Sequence, residues 1–347
     1  MTAVVFAGIA PLTARAHERW FTPYGPYWAP DWALLVSLPV GLALLSGAGV
    51  VLLLTLLERV LDDPLWPRPP FLQRLEPSAA AILGVQTAIA MIFAASRLQL
   101  FVPNIELPRT AVGVAVAGLS VVAAFSFITG VMTRRGAALT IGLWGLGFAF
   151  VAWYEVLEQV IFVGIALYLL GVGRGVLTYG DHPEEDEPAG SAFLRQHALT
   201  ILRLFAGATV LILAFTEKLV APDLGVAFLQ EYPDFNIARG LGLGWFTDER
   251  FIYAAGIVEA TAGIALLSGK LIRVVILLLW IPFNLGIPFL PPEELIGHLP
   301  MLATMYVLLV RGTAGIPPKD ERGAAAADPF PAQPEGAAMA GDRSGAR

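Results

Sequence analysis

The sequence predicts an all-α integral membrane protein of about nine transmembrane helices, one N-terminal helix followed by two four-helix units. Hydrophobic residues make up 56% of the 347 and charged residues only 14%, against about 25% charged in ordinary soluble chains. Mean hydropathy is +0.70. The few charges are also spaced so that uncharged runs of membrane-crossing length lie between them. The chain has no cysteine, which removes disulfides, thiolate-held zinc and iron–sulfur centres and leaves any redox chemistry to a bound cofactor or a partner. A net charge of −6 with only three lysines argues against nucleic acid as a partner. The 35 glycines and 26 prolines fit helices that pack closely or break within a bilayer.

Residues 2–14 form an apolar run too short to span, ending in Ala14-Arg15-Ala16, and this predicts a signal peptide over 1–16. The mature chain would then begin at His17, outside the cytoplasm. Trp20, Phe21, Tyr24, Tyr27, Trp28 and Trp32 predict an aromatic anchor at the outer interface. That anchor, the first span (32–57) and an inner loop make up segment 17–76. Further spans are expected at 77–96, 110–133, 136–154 and 159–173, then at 196–216, 251–269, 274–292 and 295–310. With the N-terminus outside, 15 of the Lys and Arg residues fall on the inner side and 7 on the outer, as the positive-inside rule asks. The protein is therefore expected in the plasma (inner) membrane, embedded in the lipid bilayer, with its C-terminus cytoplasmic.

A shift of 139 residues lays Ala115, Ala123, Thr129, Gly130 and Arg134 on Ala254, Ala262, Ser268, Gly269 and Arg273, and Glu155 on Glu294. It aligns a helix, a tight inner turn, a second helix and an acidic outer turn without a gap, so 77–174 and 196–312 are read as parallel repeats. Between them, 175–195 is an acidic linker containing Asp181-His182-Pro183-Glu184-Glu185-Asp186-Glu187-Pro188, and 313–347 is a tail expected to be disordered.

Ionisable groups inside a bilayer mark function by default, and the second unit concentrates them. Glu259 lies eight residues after Phe251, about 12 Å below the surface at the helical rise. Asn284 falls at a similar depth on the next helix. His298 stands one turn after Glu294 on the last helix, and Lys218 closes the helix that begins at 196. Lys218, Glu259, Asn284 and His298 should therefore meet in the outer half of the membrane. Two readings of Glu259 stand side by side: a functional acid, or a buried ion pair with Lys218 that holds the bundle. Gly256, Ala260 and Gly263 on the same helix predict that Glu259 faces the bundle interior. His298 can be satisfied by Glu294 or headgroups, and Arg203 can snorkel to lipid phosphate. The first unit carries Gln99, Glu155, Glu158 and Gln159 in the matching region but has Ser120 where Glu259 stands, and it reads as scaffold. A metal-binding role for His17 needs a second outer histidine that the sequence supplies only as His298, so no metal is predicted.

The pattern Arg203, Glu217-Lys218, Pro222, Gly256-Ile257-Val258-Glu259, Gly263, Leu267-Ser268-Gly269 and Arg273 resembles the DoxX/DoxD-like family of small four-helix membrane proteins, over about a third of the chain. The resemblance makes the second unit a DoxX-like bundle and the first a degenerate copy. It implies a multi-pass membrane subunit linked to an oxidoreductase system, with a partner protein to deliver electrons and quinone as the cofactor. Under that reading Glu259 and His298 carry the proton chemistry, and Lys218, Asn284 and Glu294 line the cofactor. Whether the chain is itself an enzyme is left open. The alternatives are a small-solute carrier, which paired repeats with buried ionisable groups would suit, and a non-enzymatic assembly or scaffold protein.

Overall fold

A computed structural model describes residues 18–23, 25–60, 70–174, 192–285 and 293–312. The signal peptide expected over 1–16, most of the acidic linker and the tail 313–347 lie outside the described residues. Among those residues the regular secondary structure is all helical, apart from one isolated bridge between Gln99 and Glu106. Five helices are long and apolar enough to cross a membrane: Leu38–Val60, Glu76–Ser96, Ala111–Thr129, Ala192–Leu219 and Asp248–Ser268. Three more are apolar but shorter, Ile161–Val172, Ile272–Ile281 and Leu295–Arg311.

The path begins with a four-residue helix α1 (Glu18–Phe21) and the long α2 (Leu38–Val60). After the short α3 (Pro70–Leu75) come α4 (Ala79–Ser96), α5 (Ala111–Thr129), α6 (Thr133–Gly147), the short α7 (Trp153–Glu158) and α8 (Ile161–Val172). The second half runs through α9 (Ala192–Leu213), which widens into a π-helical segment at Ala214–Leu219, then α10 (Pro222–Glu231), α11 (Ile237–Gly240), α12 (Asp248–Ser268), α13 (Ile272–Leu285) and α14 (Glu293–Arg311).

Packing closes these helices into a ring. Each of α4, α5, α6, α8, α9, α12, α13 and α14 touches the next, and α14 returns to α4. Helices α4, α8, α9 and α14 also meet across the centre, and α2 lies outside the ring against α12. Glycines set the closest approaches. A Cβ on Gly263 would stand 3.0 Å from the Gly207 carbonyl oxygen, so α9 and α12 touch backbone to backbone.

Two tight turns at one end of the ring share a backbone plan. Gly130 (φ 82°) closes α5 and Met132 (φ 52°) opens α6; Gly269 (φ 72°) closes α12 and Leu271 (φ 42°) opens α13. The left-handed cap releases the last carbonyls of each helix to bond around the turn, a conformation glycine adopts without Cβ strain. Gly173 (φ 74°) and Gly312 (φ 83°) follow α8 and α14. The pairs 130 and 269, 132 and 271, and 173 and 312 all differ by 139 residues.

Arginines fasten this turn end. Arg203 donates from Nη1 to the carbonyl oxygens of Leu266, at 2.7 Å, and Leu267. Arg273 donates from Nε to Leu309 O at 2.8 Å and from Nη2 to Val310 O at 3.1 Å. Each guanidinium thus meets free carbonyls at a helix C-terminus, where the dipole favours a cation. The sequence expectation that Arg203 snorkels to phosphate is corrected: at 7% exposure it turns inward and caps α12. Glu58 ties α2 to the same end, accepting from Lys270 Nζ at 2.6 Å and from Leu271 N at 3.1 Å.

The expected aromatic anchor is also corrected in part. Trp20 and Trp28 are 2% and 6% exposed and lie inside the protein, because their indole N–H groups find acceptors there. Trp32 remains 41% exposed and stacks on Trp153 with ring centroids 5.3 Å apart.

Candidate functional site

The ring's other end gathers buried charge from four stretches of chain. The π-helical turn is the local cause on α9. Val220 N reaches back to Phe215 O at 2.9 Å, and the widened turn buries Thr216, Glu217 and Lys218 in succession, at 4%, 0% and 8% exposure. Such wide turns are frequent at functional sites. Gly256 on α12 lets the π segment come close, since a Cβ there would lie 3.0 Å from Lys218 Cβ. One turn further along α12, Glu259 Oε2 pairs with Lys218 Nζ at 3.1 Å.

Lys218 has a second partner from the chain's beginning. Glu18 Oε1 on α1 stands 3.3 Å from its ammonium. The next residue, Arg19, is fully buried; its Nε lies 3.2 Å from Glu158 Oε1, and it donates from Nη2 to Thr216 O at 2.8 Å and from Nη1 to Trp28 O. The guanidinium also lies 5.0 Å from the Tyr154 ring centroid and 5.8 Å from that of Trp28. Thr216 Oγ1 is 2.7 Å from Glu158 Oε1. Trp20 continues the chain of contacts, donating from Nε1 to Asn104 Oδ1 at 2.9 Å, while Asn104 Nδ2 donates to Glu155 Oε2 at 3.1 Å.

Five carboxyls (Glu18, Glu155, Glu158, Glu217 and Glu259) therefore surround two cations, Arg19 and Lys218, so full ionisation would leave three excess negative charges in a largely dry place. Protons relieve that imbalance. Burial pushes Glu18 up to about 7 against the pull of Lys218. Burial also raises Glu155 against its Asn104 hydrogen bond, and raises Glu158 against the attraction of Arg19. Glu18, so shifted, can hold or release a proton near neutrality.

Of the residues the sequence singled out, the structure brings Lys218 and Glu259 into contact and sets His298 on α14, half-buried and within electrostatic reach of Lys218. Glu259 does not face wholly inward as expected. Its side chain is 39% exposed, because it sits at the rim of the α9–α12 seam and reaches in only with its carboxylate. Asn284 lies on α13 and Glu294 in the first turn of α14, and their side chains lie outside the described residues.

Glu18, Arg19, Glu158 and Glu217 were missed as centres of the cluster. The sequence reading places Glu158 in scaffold and gives Arg19 no role. A usable signal did exist: acids placed at span ends with no cation on their own helix need one from elsewhere, and Glu18-Arg19 adjoins the apolar start of the chain.

A crevice of about 10 Å³ beside Trp20, lined by Ala90, Phe93, Ala94, Phe101, Ile296 and Gly297 among others, has room for about one water. Among the described residues no three His, Asp or Glu side chains gather in metal-holding geometry. Comparison of the chain with protein-family models, with curated proteins and with solved structures gives no match.

Proposed function

We propose that this chain is a multi-pass membrane subunit of a redox system, in which the buried cluster exchanges protons with a quinone. One observation carries the reading: five carboxyls held around two cations, with a single half-exposed member, Glu259, joined through Lys218 to the buried Glu18. Quinone reduction consumes protons, and an acid kept partly protonated by burial can supply them. Glu259 serves as the port, Lys218 orients it, and His298 completes the site toward α14. Electrons come from a partner protein.

In this reading nine helices cross the membrane, one N-terminal helix and two DoxX-like bundles in parallel orientation. The three shorter apolar helices, α6 and the five long ones make up the nine, and the constant 139-residue offset of the left-handed turn positions supports the duplication. The cluster lies at the extracytoplasmic face, the arginine-capped turns at the cytoplasmic face, and residues 1–16 are a signal peptide.

The test is extraction and mass spectrometry of small molecules that co-purify with the detergent-solubilised protein. Retained quinone that Glu259→Gln abolishes, with the bundle still folded, supports the proposal. Absence of quinone together with wild-type behaviour of Glu259→Gln removes it.

A second reading is favoured by the small size of the crevice and by the paired state of Lys218. The cluster would then be an ion-paired clasp in a scaffold or assembly protein. A small-solute carrier is the third, and Glu259-dependent uptake into proteoliposomes would select it.

A further inference from the structure

Two loops at the cluster end treat their apolar residues in opposite ways. Between α4 and α5, Leu100, Phe101, Val102, Ile105 and Leu107 are all 4% exposed or less, and the Gln99–Glu106 bridge pins the loop inward. Between α10 and α12, Ile237, Leu241, Leu243 and Trp245 are 58%, 75%, 39% and 65% exposed.

The second loop is nonetheless well built. Asn236 is 1% exposed and donates from Nδ2 to Asp248 Oδ1 at 2.8 Å. Arg239 pairs with Asp248, and Arg250 donates to Trp245 O at 2.6 Å. Phe235 and Phe246 both pack edge-on against Phe251, with centroids 6.5 Å away. The loop therefore sorts its side chains: Phe235, Asn236 and Ala238 hold it to the protein, while Ile237, Leu241 and Trp245 are presented outward from a fixed backbone.

We propose that this loop is an interfacial element seated in the headgroup and upper acyl layer of the leaflet at the cluster end, with phospholipid as its occupant. Position is the first argument. Trp245 lies three residues before Asp248, where the membrane-crossing α12 begins, so the loop stands at the bilayer surface by chain connectivity. Continuity is the second, because α12 carries its own exposed apolar side chain, Val258 at 60%, below it. Chemistry is the third. An exposed tryptophan beside the exposed guanidinium groups of Arg239 and Arg250 matches the amphipathic composition of a membrane–water boundary, where indole sits among headgroups and arginine meets phosphate. Since α10 packs against both α1 and the π segment, a loop anchored in lipid would also hold the cover over the charged cluster in place.

The absence of cysteine from the chain makes the test clean. Full-length Trp245→Cys and Leu241→Cys, with Glu249→Cys at an exposed polar control position, are labelled with an environment-sensitive fluorophore and reconstituted in phosphatidylcholine vesicles. Shallow nitroxide-labelled lipid should quench the labels at 245 and 241, and aqueous iodide should quench them about threefold less than the label at 249. Equal iodide quenching at 245 and 249, with no effect of nitroxide lipid, overturns the proposal. So does a different pattern, in which a membrane-impermeant maleimide reaches Cys at 245 in pure lipid vesicles but not in cell membranes, since a protein partner would then be the cover.

Discussion

Replacing Arg19 by methionine should weaken the protein in a way that depends on pH. Arg19 is fully buried and answers Glu158 at 3.2 Å, and its hydrogen bonds to Thr216 O and Trp28 O tie three stretches of chain together. Removing one member of a buried pair costs about 3–5 kcal/mol, because the other is left charged and uncompensated. Glu158 has an escape, since it can take up a proton. Its carboxyl is already raised by burial from the ordinary 4.5, and losing the Arg19 attraction raises it further. An acid whose folded pKa exceeds its unfolded value leaves stability untouched below the unfolded pKa and subtracts from it as pH rises, by about 1.4 kcal/mol per unit up to the folded pKa. Arg19→Met should therefore lose least at about pH 4.5, where only the hydrogen bonds to Thr216 O and Trp28 O are missing, and should fall about 3 kcal/mol further by pH 8. The double variant Arg19→Met/Glu158→Gln should recover most of that loss. The assay is reversible unfolding in mixed detergent–dodecyl sulfate micelles, followed by far-ultraviolet circular dichroism at both pH values. A loss that is uniform with pH, or a double variant no better than the single one, would refute the argument that Glu158 is the stranded charge.

Glu18 makes its own contribution of the same sign. With burial raising it from 4.5 to about 7, wild-type stability should decline by about 3 kcal/mol across that interval as pH rises, and Glu18→Gln should flatten the decline in the same unfolding titration. Gly297→Ala tests the packing of α1 on α14. A Cβ there would lie 2.1 Å from Trp20 Cζ3, so the variant should lose about 1–3 kcal/mol and shift the tryptophan emission as the indole is displaced. Gly269→Ala strains a left-handed turn and presses a methyl to 2.9 Å from Arg203 Cζ; it should lower the melting temperature, while alanine at the open, helical position Gly118 should not.

Hydropathy made the helices and the five candidate spans legible, because uncharged runs of that length are read without reference to any contact. The tight turns were legible too, since Gly130 and Gly269 sit where a helix must stop and an arginine follows. Lys218 and Glu259 could be placed at one end by counting residues along helices. What counting could not supply was the side-chain partner across the ring. Glu158 lies 58 residues from Thr216 and 139 from Arg19, and no local period links positions so far apart. The aromatic segment misled for a related reason. Tryptophan suits a bilayer boundary and a buried slot equally, and only the Asn104 acceptor and the missing side chain at Gly297 decide for the slot in the case of Trp20.

Arg19 and Trp20 are neighbours in the chain, yet one is received beside Glu158 and the other against Gly297, positions that again differ by 139. A single strand of polypeptide laid over two seats cannot treat them alike. One seat must supply an acid for the guanidinium, and the other must surrender its side chain to admit an indole. Asymmetry between the two seats then follows from the crossing strand itself, and a carboxylate at 297 or a glycine at 158 would evict the strand.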